Sequence, residues 1–132
     1  MAEAIVPGGG LALLRCIAAL GQEETKCEGD EKTGVQIPKR ALETPTRQIA
    51  DNSAVDGVVV VACMLSGEGN LGFDAARKEY VDLVEAGIID PTKVRRMALE
   101  NAVSVASVLF LTEATITEVS EAKTEHAAEA EM

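Results

Sequence analysis

Three consecutive glycines, Gly8, Gly9 and Gly10, precede an apolar segment whose pattern predicts a helix. Glycine lets a ligand approach the backbone, and a helix start presents N–H groups and the positive end of its dipole. This turn is therefore suited to an anion or a nucleotide, although an ordinary tight turn is the alternative. No Lys-Ser or Lys-Thr pair follows the glycines, which excludes a P-loop.

Two aspartates could supply carboxylates to the same chemistry. Asp74 opens the sequence Asp74-Ala75-Ala76, and Asp90 follows the apolar Ile88 by two residues. Each aspartate can serve simply as a helix N-cap, which is the structural alternative to a ligand contact. For Asp90 both roles are compatible, because a carboxylate has two accepting oxygens.

A metal centre and a disulfide framework are not supported by the sequence. The three cysteines, Cys16, Cys27 and Cys63, form no C-x-x-C motif, and His126 is the single histidine. These scattered ligands are too few for a metal site. We predict reduced thiols and no metal ligands, and we see no nucleophile–base set that would make a residue catalytic.

Composition limits the class of protein and its partners. A chain of 132 residues that is 47% hydrophobic can bury a core, and with 2% aromatics that core must consist of aliphatic side chains. The net charge of −10 argues against nucleic-acid and anionic membrane partners. No apolar run reaches the roughly 18 residues of a membrane span, and the start lacks a secretory pattern. We therefore expect an intracellular, soluble protein.

Helices dominate the predicted elements. Residues 11–20 form a helix that stops at Gly21, and residues 22–32 form a loop. Residues 35–43 are helical with a kink or a late start caused by Pro38. Residues 45–52 form the next helix, and residues 55–65 form a buried helix, with a buried strand as the alternative.

The remaining predicted elements follow a turn at residues 66–70. Residues 74–86 form an amphipathic helix with Tyr80, Leu83 and Val84 directed inward. A final helix starts at Pro91, capped by Asp90, and is buried nearly all round. Residues 114–119 form a short strand that needs a partner from outside the chain, and residues 120–132 form a disordered acidic tail.

In this order and spacing, the glycine turn, the segment at Asp74 and the segment at residues 87–94 resemble the nucleotide-binding parts of group I chaperonins, the GroEL-type 60-kDa heat-shock family. The resemblance covers residues 3–119. It implies a mainly α fold, a bundle of about five to six helices with a short C-terminal β-strand. That bundle corresponds to the C-terminal half of the equatorial, nucleotide-binding domain, spanning residues 1–119.

The resemblance implies an ATP site that uses eight residues of this chain: Gly8, Gly9, Gly10, Asp74, Ala75, Ala76, Ile88 and Asp90. The glycines would lie against the nucleotide, and the segment at Asp74 would lie at the adenine. Ile88 would contact the base, and Asp90 would reach the ribose hydroxyls. The resemblance also places an ion pair between stacked rings at Arg47 and Asp56, for which two solvated surface charges are the alternative.

The resemblance further implies that the phosphate loop, a metal-binding Asp and a catalytic Asp belong to parts of the subunit absent from this sequence. ATP is therefore the expected cofactor, with Mg²⁺ only when the missing part is present, and the chain alone is predicted inactive as an ATPase. Expected partners are other chaperonin subunits in a homo-oligomeric ring; co-chaperonin and unfolded polypeptides would bind only through missing domains. The expected location is the cytoplasm, or the mitochondrial matrix or plastid for an organellar member. The alternative function is a non-catalytic helical interaction module, or a truncated subunit, that associates with full-length chaperonin.

Overall fold

Five helices and four short strands make up residues 4–117, the part of the chain that the computed structural model describes. The helices are α1 (Leu11–Glu24), α2 (Asp30–Ala41), α3 (Thr44–Asn52), α4 (Gly57–Ser66) and α5 (Thr92–Phe110), and the strands are β1 (Ile5–Pro7), β2 (Leu71–Asp74), β3 (Glu79–Asp82) and β4 (Ile89–Pro91). The predicted mainly helical class is confirmed. The chain divides into two units, Met1–Ala98 and Leu99–Met132.

The first unit has an aliphatic core, as the composition predicts. Helix α1 directs one face into it through the i, i+3 pair Leu11 and Leu14, which suits the helical period. The buried cluster joins α1, α3, α4 and the segment after α4 through eight residues: Leu11, Leu14, Ala50, Val60, Val61, Met64, Phe73 and Leu83. The core thus holds the glycine turn at the start of α1 and the segment at Phe73 in one packed body.

Helices α1 and α2 are longer than predicted. Helix α1 continues through Gly21 to Glu24, because a helix tolerates an interior glycine at a cost of about 1 kcal/mol. Helix α2 starts early, at Asp30, and contains Pro38. Its first turn is acidic and its last turn basic, which complements the helix dipole. The predicted stop at Gly21 is therefore wrong, and the predicted loop at residues 22–32 is shortened to residues 25–29. Of the two alternatives at Pro38, a kink or a late start, the late start is wrong.

Helix α4 confirms the helical interpretation of the Val-rich segment. Asp56 caps it by accepting hydrogen bonds from the amides of Val58 (2.8 Å) and Val59 (3.4 Å). The expected complete burial is wrong, however. Val60 is fully buried, whereas Val58 and Val59 are 60% and 54% exposed.

The largest correction concerns residues 74–86, which form a hairpin and not an amphipathic helix. Strands β2 and β3 pair antiparallel, with Phe73 opposite Tyr80 and their ring centroids 5.6 Å apart. Leu83 is buried as predicted. Tyr80 and Val84, predicted to point inward, are 41% and 38% exposed.

Turn chemistry and a close contact explain the hairpin. Asp74 and Asp82, which end the two strands, each accept hydrogen bonds from the amides two and three residues later. Such side-chain bonds stabilise turns in competition with a helix. A Cβ on Gly72 would lie 2.3 Å from Leu83 Cδ1, so Leu83 packs directly on the glycine backbone. Leu83 thereby closes the hairpin against the core.

A second small sheet connects the two ends of the first unit. Strand β1 pairs antiparallel with β4, which sets Val6 opposite Asp90 and Pro7 opposite Ile89. Helix α5 then begins at Thr92, whose amide donates to the Ala4 carbonyl at 3.0 Å. Asp90 therefore lies in a strand before α5, and the predicted helix start at Pro91 is wrong by one residue.

Helix α5 differs from its prediction in burial. None of its residues is buried, so the expected burial on nearly all sides is wrong for this chain. Ala98, Ala102 and Ala106 lie four residues apart on α5, a spacing suited to close packing against a facing helix, and all three residues are exposed. Residues 114–117 contain no strand, in keeping with the missing partner. The rest of that predicted strand and the predicted acidic tail lie outside the described residues.

Candidate functional site

The glycine turn lies between β1 and α1 and is attached to the end of the hairpin segment. The Gly8 amide donates a hydrogen bond to the Ile88 carbonyl at 2.8 Å. A Cβ on Gly8 would lie 3.1 Å from the Ile88 carbonyl oxygen and 3.1 Å from its Cγ2. The absence of a side chain at Gly8 therefore allows the two backbones to approach closely.

Gly9 and Gly10 both adopt left-handed backbone, with φ of 61° and 83°. Gly10 is required by internal packing, because its Cβ would lie 2.1 Å from Thr46 Oγ1. Thr46 is 2% exposed and donates to the Gly9 carbonyl at 3.1 Å, which fastens the turn to α3. A Cβ on Gly9, in contrast, would make only ordinary contacts of 3.6 Å, with Leu83 Cδ1 and the Phe73 carbonyl oxygen. Packing alone therefore does not require glycine at position 9.

The N–H groups at the start of α1 are only partly occupied, so the expectation of unpaired donors there holds for some of them. The Leu11 amide donates to the Gly8 carbonyl at 3.0 Å. The amides of Leu13 and Leu14 both donate to the Gly10 carbonyl at 3.1 Å. The amides of Gly9, Gly10 and Ala12 make no hydrogen bond within the described part of the chain, so the turn keeps donors for a ligand.

Asp74 is a buried acidic residue, 8% exposed, at the end of β2. Its Oδ1 accepts hydrogen bonds from the amides of Ala76 (2.9 Å) and Arg77 (3.3 Å). Its Oδ2 lies 3.9 Å from Arg77 Nε, which is ion pairing at the limit of contact. Asp74 therefore caps a turn, where the alternative to a ligand contact had been a helix cap. Its carboxylate orders the segment that the resemblance places at the adenine.

The predicted site residues fall into two connected groups. Gly8, Ile88 and Asp90 are joined through the β1–β4 sheet and the Gly8–Ile88 hydrogen bond. Ala75 and Ile88 are both partly buried against the common core. Gly9 faces the carbonyl of Phe73, the residue before Asp74. Ala76 is exposed and contributes its amide to the Asp74 turn.

Asp90 has an ion-pair partner that sequence reasoning missed. Arg95 Nε donates to Asp90 Oδ2 at 2.8 Å, and Arg95 Nη2 donates to the same oxygen. The five-residue separation is not a usual helix-pair spacing, since it spans the junction of β4 and α5. The sequence did offer one signal for this pair: Asp90 precedes the predicted helix start at Pro91, and the oppositely charged Arg95 follows it.

Tyr80, on the strand opposite Asp74, lies beside a thiol. Partial burial raises the pKa of Tyr80, and its hydrogen bond with Cys63 adds to this shift. Cys16, Cys27 and Cys63 form no disulfide in the described part of the chain, and their reduced state stays a prediction. Over residues 4–117, no cluster of three or more acidic, histidine or cysteine side chains could hold a metal ion.

Arg47 and Asp56 each have local roles within the first unit. Arg47 Nη2 pairs with Glu43 at 2.9 Å, one helical turn earlier, while its Nε is buried without a hydrogen-bond partner. Asp56 caps α4. No helix of the described part of the chain is long and apolar enough to cross a membrane.

Comparison with known proteins extends the resemblance over the whole chain. Residues 1–120 match the TCP-1/cpn60 chaperonin family. All 132 residues align at 70% identity with Chaperonin GroEL 5 of Bradyrhizobium diazoefficiens, of which they cover 24%. A group III chaperonin in the open state is similar at a TM-score of 0.78 and 27% identity, over 86% of this chain and 24% of that chain.

The open-state monomer of a group II chaperonin from Methanococcoides burtonii shares the fold at a TM-score of 0.76 and 23% identity, over 82% of this chain and 28% of that one. The chain thus spans 24% to 28% of the length of these three relatives. The predicted resemblance is confirmed, and the chain belongs to the TCP-1/cpn60 chaperonin family.

Proposed function

We propose that this chain provides the adenine and ribose side of an ATP pocket in a chaperonin that assists protein folding. The observation that carries the proposal is the hydrogen bond between the Gly8 amide and the Ile88 carbonyl. It brings the glycine turn to the segment that contains Ile88 and Asp90, two parts of the chain that are about 80 residues apart in sequence.

The available groups suit a nucleoside. Ile88 and Ala75 offer partly buried apolar surface for a base, and Asp90 offers a carboxylate for hydroxyl groups. The resemblance assigns the phosphate loop to another part of the subunit, so the phosphates would depend on groups outside this chain. When bound, ATP would supply the hydrolysable phosphates, while these residues would bind and orient its base and sugar.

Titration calorimetry of the purified chain with adenosine and with ATP tests this proposal. Half a pocket lacks phosphate contacts and their preorganisation, so we expect weak affinities that are similar for both ligands and independent of Mg²⁺. Markedly tighter, Mg²⁺-dependent binding of ATP would show a complete phosphate site. Absence of adenosine binding would contradict the proposal.

Matched variants separate ligand contact from backbone strain. Gly9→Ala adds a methyl group to the glycine turn at φ 61°, and Gly69→Ala adds one at φ 60° with no atom within 4 Å. Both changes impose the same backbone strain, but only Gly9→Ala should weaken adenosine binding. Similarly, Asp74→Ala should weaken binding more than Asp82→Ala, which removes an equivalent turn cap.

We also infer that α5 is covered by further chaperonin polypeptide, as in a ring of subunits. Apolar side chains of the second unit are largely exposed, including Val105 at 61%, Phe110 at 78% and Leu111 at 88%. Exposed apolar area of this kind drives association. Light scattering coupled to size exclusion should therefore detect self-association, and Phe110→Ser with Leu111→Ser should reduce it. A sharp monomer peak for the wild-type chain would contradict this interaction role.

A further inference from the structure

Asp90 is held in place through both its backbone and its side chain. The backbone of Asp90 is held in β4 opposite Val6. Its side chain is held by Arg95, whose Nε (2.8 Å) and Nη2 both donate to Oδ2. The side chains of Arg95 and Asp90 are 31% and 27% exposed, so the pair is partly shielded from water. Charge-assisted bonds from a planar guanidinium restrict the carboxylate's rotation.

Arg95 uses only one of the two carboxylate oxygens. Both of its donors converge on Oδ2, which leaves Oδ1 unclaimed by Arg95. An ionised carboxylate is purely an acceptor, so Oδ1 is suited to a hydroxyl donor.

The other aspartate of the proposed site is oriented in a different way. Arg77 Nε lies 3.9 Å from Asp74 Oδ2, beyond hydrogen-bond range, and the Arg77 side chain is 72% exposed. Backbone amides, not Arg77, orient Asp74. Arg77 is therefore a natural control: a nearby arginine of equal charge that does not fix its aspartate.

We propose that Arg95 is a positioning residue that turns Oδ1 of Asp90 toward a ribose hydroxyl and so sets a preference for ribonucleosides over deoxyribonucleosides. This inference rests on the proposed nucleoside site. The sugar selectivity of Asp90 then depends on a second side chain, which itself need not touch the ligand.

The first test compares the affinities of adenosine, 2′-deoxyadenosine and 3′-deoxyadenosine by titration calorimetry. The wild-type chain should bind adenosine about tenfold more tightly than at least one deoxy form, the effect of one hydrogen bond to a charged group. Asp90→Asn and Arg95→Gln should both reduce this ratio to about twofold, and Arg95→Lys should restore part of it. Arg77→Gln should keep the full ratio. Far-UV circular dichroism confirms that each variant retains the wild-type fold.

The second test needs no ligand. In ¹⁵N-labelled chain, the Arg95 Nε–H should exchange slowly with water, and Asp90→Asn should accelerate that exchange while Asp74→Asn leaves it unchanged. An Nε–H signal insensitive to Asp90→Asn would overturn the positioning role.

The outcomes separate the two proposals. A wild-type ribose preference that Asp90→Asn removes but Arg95→Gln preserves would overturn the positioning role and leave the nucleoside site standing. Equal wild-type affinities for all three nucleosides would overturn the ribose contact and the positioning role together.

Discussion

Replacement of Gly10 by alanine tests how the glycine turn is held in place. Gly10 has φ 83°, and an added Cβ would lie 2.1 Å from Thr46 Oγ1 and 3.1 Å from the Thr46 amide nitrogen. Thr46 is buried in α3 and cannot move away without disturbing the core beside Ala50. Thr46 would also lose its hydrogen bond to the Gly9 carbonyl. Three separate costs therefore add at one position.

Each cost has an expected size. Alanine in the left-handed region costs about 1–2 kcal/mol. Forcing a methyl group into a packed contact costs about 1–3 kcal/mol. Loss of the hydrogen bond adds about 1 kcal/mol. We expect Gly10→Ala to lower the free energy of unfolding by about 3–6 kcal/mol, a large part of the roughly 5–15 kcal/mol of a typical domain. Gly69→Ala, at φ 60° in open space, should incur only the backbone cost of about 1–2 kcal/mol.

Urea unfolding followed by far-UV circular dichroism measures these differences. Thr46→Ala removes the clashing oxygen, so in the Gly10→Ala background it should recover part of the lost stability, although alone it is destabilising. A double-mutant cycle quantifies that coupling. Equal losses for Gly10→Ala and Gly69→Ala, or no coupling between Gly10→Ala and Thr46→Ala, would refute this account of the turn.

Three further predictions concern activity and stability. The purified chain with Mg²⁺ should release no phosphate from ATP above background, and turnover abolished by Asp90→Ala would contradict this. The pKa of Glu24 is lowered by hydrogen bonds from Lys39 and then Gln36. This contribution to stability is therefore complete above the unfolded pKa of 4.5 and is lost as pH falls through the lower folded value. Urea midpoints between pH 6 and pH 3 should accordingly fall less steeply for Glu24→Gln than for wild type. Gly21→Ala, within α1 and with no atom within 4 Å of the new Cβ, should raise the free energy of unfolding by about 1 kcal/mol, and a lower urea midpoint would contradict this.

Local signals in the sequence were sufficient for α3 and α4. Pro45 in a first turn predicted a helix over residues 45–52, and the observed α3 is Thr44–Asn52. The length of the segment and its continuation through residues 62–65 favoured a helix over residues 55–65, and α4 is Gly57–Ser66. Exposure of Val58 could not be predicted, because it depends on what covers the helix.

The hairpin of β2 and β3 was missed because its cause is not local. The spacing of apolar residues over residues 74–86 fits a helix as well as a strand pair. The choice is made by Leu83 packing onto Gly72, eleven residues earlier, and by the Phe73–Tyr80 ring contact. Asp74 and Asp82 then favour turns, because their carboxylates accept hydrogen bonds from backbone amides two residues later. A helix over residues 74–86 would have placed Asp74 in its first turn and Asp82 in its interior. An Asp at the end of each apolar run was the signal that could have indicated two strands.

The wrong prediction of a helix over residues 74–86 affects the fold more than it affects the predicted site. Its residues lie in turns and at element ends, and the contacts that gather them are made by the backbone: Gly8 with Ile88, and β1 with β4. A helix and a hairpin between residues 74 and 87 can both return the chain to the glycine turn, so a resemblance based on spacing tolerates the wrong secondary structure. Side-chain partners are different. Thr46 and Arg95 support the two halves of the proposed site, yet only the three-dimensional arrangement brings Thr46 to Gly9, and only the strand before α5 aligns Arg95 with Asp90. The resemblance therefore proposes ligand-contacting residues, whereas the residues that orient them became visible only in the three-dimensional structure.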